Sequence, residues 1–170
     1  MDQHYLPSTI LKLFNLFFIG LYLSFSLQGN TLVVSNTGDS GSGSLRAQVN
    51  NANEGDTIIF ADSLNGNPIV LTGGEIVLSK DLVINGNNPD STIIDGDNNN
   101  RVFRIDNNTV VTLHGLAVQN GSEGGISNNG TLVITSSTIS NNMADVGGGG
   151  GIYNNGTLTV INSTVNGNSA

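Results

Sequence analysis

The densest group of potential ligands in this chain is Asp95-Gly96-Asp97-Asn98-Asn99-Asn100, with Asp106 eleven residues after Asp95. Oxygen-bearing side chains at positions 1, 3, 5 and 12 of a loop are the pattern that wraps a hard cation such as Ca2+. Asp95, Asp97 and Asn99 are therefore the candidate metal ligands, and calcium is the cofactor they would suit. Two features weigh against one closed loop. Position 6 is Asn100 rather than Gly. Residues 101–105 read as a strand, which would carry Asp106 about 16 Å along the chain. A polar corner selects the same residue types, because Asp, Asn and Gly tolerate tight backbone turns.

Catalysis on a polysaccharide needs a carboxylate pair, or a cation with a nearby base, along one face. Arg101, Arg104, Asp95 and Asp106 are the candidates that mix both signs locally. Arg101 and Arg104 stand an odd number of residues apart, so on one strand one would point outward and the other toward the core or a corner. No single cleft is expected from them. His114 follows Leu113 and precedes Gly115, an outward strand-to-turn position with no carboxylate or second histidine in its motif. That setting predicts a solvated ring rather than a base or a metal ligand. The glycine run at 147–151 has no strand-then-helix context and is not a phosphate loop. Five Asn-x-Ser/Thr sequons begin at Asn107, Asn120, Asn129, Asn155 and Asn162 and follow from the composition of the repeats.

Those repeats organise the chain. Residues 125–144 read GISNNGTLVITSSTISNNMA and residues 151–170 read GIYNNGTLTVINSTVNGNSA, with 11 of 20 positions identical at an offset of 26. Self-similarity at such a period means stacked structural units. Within each unit Leu132 and Ile134, or Leu158 and Val160, alternate with Thr and other outward residues. Period-two patterning rich in β-branched residues is strand, and Asn-Gly, Asn-Asn and Gly-Gly close each strand quickly. Two or three short strands per unit describe one coil of a parallel β-helix. Leu132 should then lie under Leu158, Asn129 under Asn155 and Asn142 under Asn168, with both leucines buried. The run 111–120 aligns with 132–141 at an offset of 21, so the repeat extends upstream with looser spacing.

Further strands are expected at 31–34, 57–60, 69–71, 75–78, 81–85, 92–95, 101–105, 110–113 and 116–118. From residue 31 onward this allows about six coils in one domain, 27–170. One helix is expected, at 45–52. Ser44 suits the N-cap, and Leu45, Val49 and Ala52 share a face. Placed before the strands, this helix would cover the open end of the first coil, whose unpaired edge would otherwise recruit other chains.

Residues 1–26 read as an export signal: Lys12 precedes an apolar run, and Ser24 and Ser26 offer small residues at the −3 and −1 positions of a cleavage site. An uncleaved membrane anchor is the competing reading, because the apolar stretch is about long enough to span. The remainder contains Phe60, Phe103 and Tyr153 as its only aromatic residues, and the chain has no cysteine. A narrow solenoid interior of Val, Ile and Leu accommodates that poverty in rings. The formal charge of −8, with Arg46, Lys80, Arg101 and Arg104 as the only cations after the leader, leaves no basic patch for nucleic acid.

The stretch Ser40-Gly41-Ser42-Gly43-Ser44-Leu45-Arg46, followed by Ala52-Asn53-Glu54-Gly55-Asp56-Thr57-Ile58-Ile59-Phe60, resembles the N-terminal region of secreted bacterial β-helix proteins with the CSLREA signature. Gly43 occupies the signature's cysteine position. Gly124-Gly125-Ile126, Gly150-Gly151-Ile152, Ile139-x-x-Asn142 and Val165-x-x-Asn168 are similar to the repeats of polymorphic outer-membrane proteins. The resemblance implies an all-β, right-handed parallel β-helix on or outside the cell, and no single activity.

Taken together, these features point to a secreted or cell-surface β-helix that acts as a scaffold or adhesin-like binding module. Its partners would be glycans or surface proteins, without membrane insertion by the mature domain. Thr131, Thr157 and Thr159 are the candidate binding residues, on an outward ladder interrupted by Val133. The alternative is a carbohydrate-active enzyme, a polysaccharide lyase or glycoside hydrolase.

Overall fold

The structure is a computed structural model that describes residues 29–145 and 148–170. The apolar leader at 1–26, read above as a signal or an anchor, lies outside the described residues. No helix among those described is long and apolar enough to cross a membrane.

The described chain is a parallel β-helix. Strands β1 (Thr31–Val34), β2 (Asp56–Phe60), β5 (Leu82–Asn85), β8 (Val110–His114), β11 (Thr131–Thr135) and β14 (Thr157–Ile161) form one six-stranded sheet, sheet A. Sheet B contains β3 (Ile69–Val70), β6 (Ile93–Asp95), β9 (Ala117–Gln119), β12 (Thr138–Ser140) and β15 (Thr164–Asn166). Sheet C contains β4 (Ile76–Leu78), β7 (Phe103–Ile105), β10 (Ile126–Asn128) and β13 (Ile152–Asn154). After β1, the chain visits A, B and C in turn, giving about five coils rather than six. All the pairings between these strands are parallel.

The expected register holds. Leu132 pairs with Leu158 and Ile134 with Val160. Asn155 Nδ2 donates to Asn129 Oδ1 at 3.3 Å, and Asn142 Nδ2 to Asn168 Oδ1 at 2.9 Å. One expectation needs correcting: Leu132 is fully buried, but Leu158 is only half-buried and Val160 is 42% exposed. The last described coil is covered on one side only, and a single coil cannot enclose its inward residues. A second correction concerns sheet C. The Gly-Ile-x-Asn-Asn segments read as strand-closing turns, whereas residues 126–128 and 152–154 are β10 and β13.

The corners explain the Asn and Gly content. Asn120, Asn141 and Gly167 follow the sheet B strands in successive coils, with φ of 55°, 55° and 63°. At the A-to-B corner, Gly115, Ser136 and Asn162 have φ of 63°, 50° and 50°. This left-handed conformation is strained for most side chains and mild for Gly and Asn.

Helix α1 (Leu45–Asn51) caps the first coil. Ser44 Oγ accepts from Ala47 N–H, and Leu45, Val49 and Ala52 are buried against the core. On the edge of β1 facing away from β2, Gln48 Nε2 donates to Val33 O at 2.9 Å, occupying an acceptor that would otherwise invite a foreign strand. Arg46 ties the helix to the loop before it through Asp39 Oδ1 at 2.8 Å, and to the first coil through the carbonyls of Gly74 and Glu75.

Asp56 is an inward-facing acid at the capped end. It pairs with Leu82, and that column continues upward through Val111 and Leu132. The Asn53 N–H, 2.8 Å from the carboxylate, holds its pKa below the ordinary carboxylate range; burial opposes this and the Asn30 N–H at 2.6 Å adds to it. A pKa lowered by folding means that the unfolded chain binds the proton more tightly. The resulting stability is present above about pH 4, the unfolded value, and is lost as pH falls through the folded value. Urea midpoints measured from neutral pH into acid should therefore fall below about pH 4. Asp56→Asn should lower the neutral midpoint and flatten that acid limb; an unchanged limb would remove Asp56 as a cause.

Candidate binding face

Sheet A places two columns of outward side chains across all six of its strands. The first column is Thr31, Thr57, Val83, Thr112, Val133 and Thr159, each in register with the next. The second is Val33, Ile59, Asn85, His114, Thr135 and Ile161. Buried residues alternate with both columns along the strands, as period two requires. Neither column contains an acid, a lysine or an arginine. A third, shorter column runs Val110, Thr131 and Thr157, and beside it Asp81 Oδ1 accepts from Val110 N–H at 2.7 Å.

The three threonines expected to form the binding ladder thus all lie on this face, in two columns. Thr131 stacks with Thr157, while Thr159 stacks with Val133 and Thr112. Thr157 and Thr159 are exposed and Thr131 is half-buried. Thr31, Thr57 and Thr112 were missed as members. Partners along the first column are separated by 26, 26, 29, 21 and 26 residues, so one fixed offset does not find them. The usable signal was the Thr-x-β-branched triplet at the start of several strands. His114 faces outward and is half-buried, with Nδ1 2.7 Å from Thr135 Oγ1.

The acidic corner is organised by donors from the next coil. Asp95 Oδ2 accepts from Gln119 Nε2 at 3.0 Å and from Asn120 Nδ2 at 2.8 Å, and Oδ1 accepts from Asp97 N–H at 2.8 Å. Asp97 and Asn98 make the turn with positive φ, and Asp97 and Asn99 are exposed. A cation bound through Asp95 Oδ2 would compete with both amide donors. Among the described residues, no group of three or more His, Cys, Asp or Glu is placed to hold a metal ion.

Arg104 faces outward and Arg101 toward a corner, as expected, although they do not share one strand. The strand begins only at Phe103, so Arg101 belongs to the preceding corner, and Arg104 faces outward between buried Phe103 and Ile105. Both guanidinium groups meet Glu75. Arg101 Nη1 is 2.9 Å from Oε2, and Arg104 Nε is 3.0 Å from Oε1, in an ion pair whose N–H is not aligned as a hydrogen bond. Asp106 stands 3.8 Å from Arg104 Nε. Such half-exposed pairs contribute about 0–1 kcal/mol each.

Arg101 also borders a cavity of about 320 Å3, lined with it by Ser122, Glu123, Ala144, Asp145 and Gly148. Its acids lie in separate corners far apart in sequence, and the pattern reading did not single them out. Arg101 Nε donates to the Glu123 carbonyl at 3.2 Å, so the guanidinium is already engaged on two sides.

No protein-family model, curated protein or solved structure matches this chain.

Proposed function

We propose that this chain is a non-catalytic binding or scaffold module, secreted or displayed at the cell surface, and that it works through the outward face of sheet A. The observation that carries this reading is the pair of uncharged columns running in register over six strands. Repeated small polar and aliphatic groups suit many weak contacts with an extended ligand. The resemblance to CSLREA-type and polymorphic outer-membrane proteins supports the location outside the cytoplasm. Calcium on Asp95, Asp97 and Asn99 would be an accessory to the corner rather than part of this face.

The competing reading, a carbohydrate-active enzyme, has a specific place to act: the cavity holding Glu123, Asp145 and Arg101. Two carboxylates and a cation are the minimum such chemistry asks for. Arg101 is paired with Glu75, which makes it a poor base or electrophile. The test is turnover. Purified protein incubated with a uronate polymer and with neutral glycans, with and without calcium, should release neither unsaturated product nor reducing ends. Steady turnover abolished by Glu123→Gln, Asp145→Asn, Arg101→Ala or Asp95→Ala would replace the binding reading with the enzymatic one.

A further inference from the structure

We propose that the ligand of the sheet A face is ice. This rests on the reading of that face as a binding surface and narrows its ligand to an ordered water lattice. Of the twelve residues in the two long columns, ten are Thr, Val or Ile; Asn85 and His114 are the exceptions. β-branched side chains are stiff about their first torsion, so the methyl and hydroxyl groups stand in a fixed array. The array repeats about every 4.8 Å from strand to strand and about every 6.7 Å from one column to the other. Both repeats lie near those of the oxygen lattice of hexagonal ice along its two principal axes. Where sheets of many strands are flat, stacking and side-chain ladders of this kind are what hold them so.

The chemistry of the face suits this ligand and disfavours the others. Methyl groups order the water beside them without binding it, and the threonine hydroxyls hydrogen-bond to that ordered layer. A charged side chain would impose its own strong hydration shell, and the two long columns hold no Asp, Glu, Lys or Arg. A crystalline polysaccharide is recognised by stacking sugar rings on aromatic side chains. This face has no phenyl, phenol or indole ring: Phe60 and Phe103 are buried, and Tyr153 stands on sheet C. A second copy of the chain is disfavoured by size. The face spans about 25 Å by 13 Å, whereas a stable protein interface needs about 800 Å2 from each partner.

The test is partition into growing ice. The purified chain, in dilute buffer with serum albumin as an internal control, is frozen slowly onto a cold finger, and both proteins are quantified in the ice and in the remaining liquid. The chain should be clearly enriched in the ice relative to albumin, and should slow the coarsening of ice grains in a recrystallisation assay. Thr112→Lys, in the middle of the first column, and Thr159→Lys, on its exposed last strand, should each reduce the enrichment to the albumin level. Thr138→Lys, outward on sheet B, should not. Circular dichroism checks the fold of each variant, and Thr112→Val, which keeps the shape and removes the hydroxyl, provides a gentler change with a partial loss. Exclusion of the wild-type chain from ice, or enrichment unaffected by both sheet A lysines in folded protein, overturns the proposal. If the chain is excluded from ice but binds insoluble glycan or a protein in a manner lost with Thr112→Lys, the ice inference fails and the binding-module reading stands. If it binds none of these and instead turns over glycans, both fall.

Discussion

Leu132→Asp should leave the chain without its upper coils. Leu132 is fully buried on β11, stacked between Val111 below and Leu158 above. Removing its side chain alone costs about 2–5 kcal/mol through lost burial and the cavity left behind. The aspartate must then either sit ionised in an aliphatic interior or take up a proton, and no arginine or lysine stands in its column to neutralise it. The sum exceeds about 5 kcal/mol, comparable with the whole stability of an ordinary domain. A solenoid distributes this loss unevenly, because each coil contacts only its neighbours. Hydrogen exchange should show protection lost across β8, β11 and β14, with more retained in β1 and β2 beneath the helix cap. Leu158→Asp should be milder, since Leu158 is only half-buried. Equal damage from the two substitutions would contradict the burial that separates them.

The second large effect is expected at Asn142, a polar side chain 1% exposed. Its Oδ1 accepts from Gly121 N–H at 2.8 Å, and its Nδ2 faces Val118 O, Ser140 O and Asn168 Oδ1 at 3.1, 3.0 and 2.9 Å. It therefore joins three successive coils and satisfies backbone groups at the sheet B corner that no water reaches. Asn142→Leu preserves the volume but strands the Gly121 N–H and the carbonyl contacts, at about 1–3 kcal/mol per group and about 3–5 kcal/mol in all, while Asn168 Oδ1 keeps the Asn142 backbone N–H at 3.0 Å. Asn142→Asp should be nearly as damaging, because it keeps the acceptor for Gly121 and loses every donor. Asn155→Ala, which removes one exposed ladder bond to Asn129, should cost under about 1 kcal/mol. Urea midpoints of the three variants give the comparison. A harmless Asn142→Leu would mean that the Asn ladder is a by-product of corner composition.

These two sites also show the kind of information that local sequence carries. The alternation of Leu132 and Ile134 with Thr131, Val133 and Thr135 depends only on residues two apart, and it specified strand, inward face and outward face together. The offset of 26 between the last two units set their register, and Ser44 with Leu45 and Val49 marked the capping helix. The Asn-Gly, Asn-Asn and Gly-Gly pairs were legible as strand ends, because positive φ selects Gly and Asn.

What the tertiary structure decided lies between coils. The donors on Asp95 come from Gln119 and Asn120, the partners of Arg101 and Arg104 converge on Glu75, and the cavity joins Ser122 and Glu123 to Asp145. Segments 126–128 and 152–154 read as turns because Gly and Asn flank them, yet parallel pairing with β7 and between themselves makes them strands. The six-strand columns of sheet A emerged for the same reason. Successive partners stand 21, 26 or 29 residues apart, and each spacing depends on how many residues the intervening corners absorb. Period-two patterning determines which way a side chain points; corner length determines which side chain stands above it, and that becomes visible only once the coils are stacked.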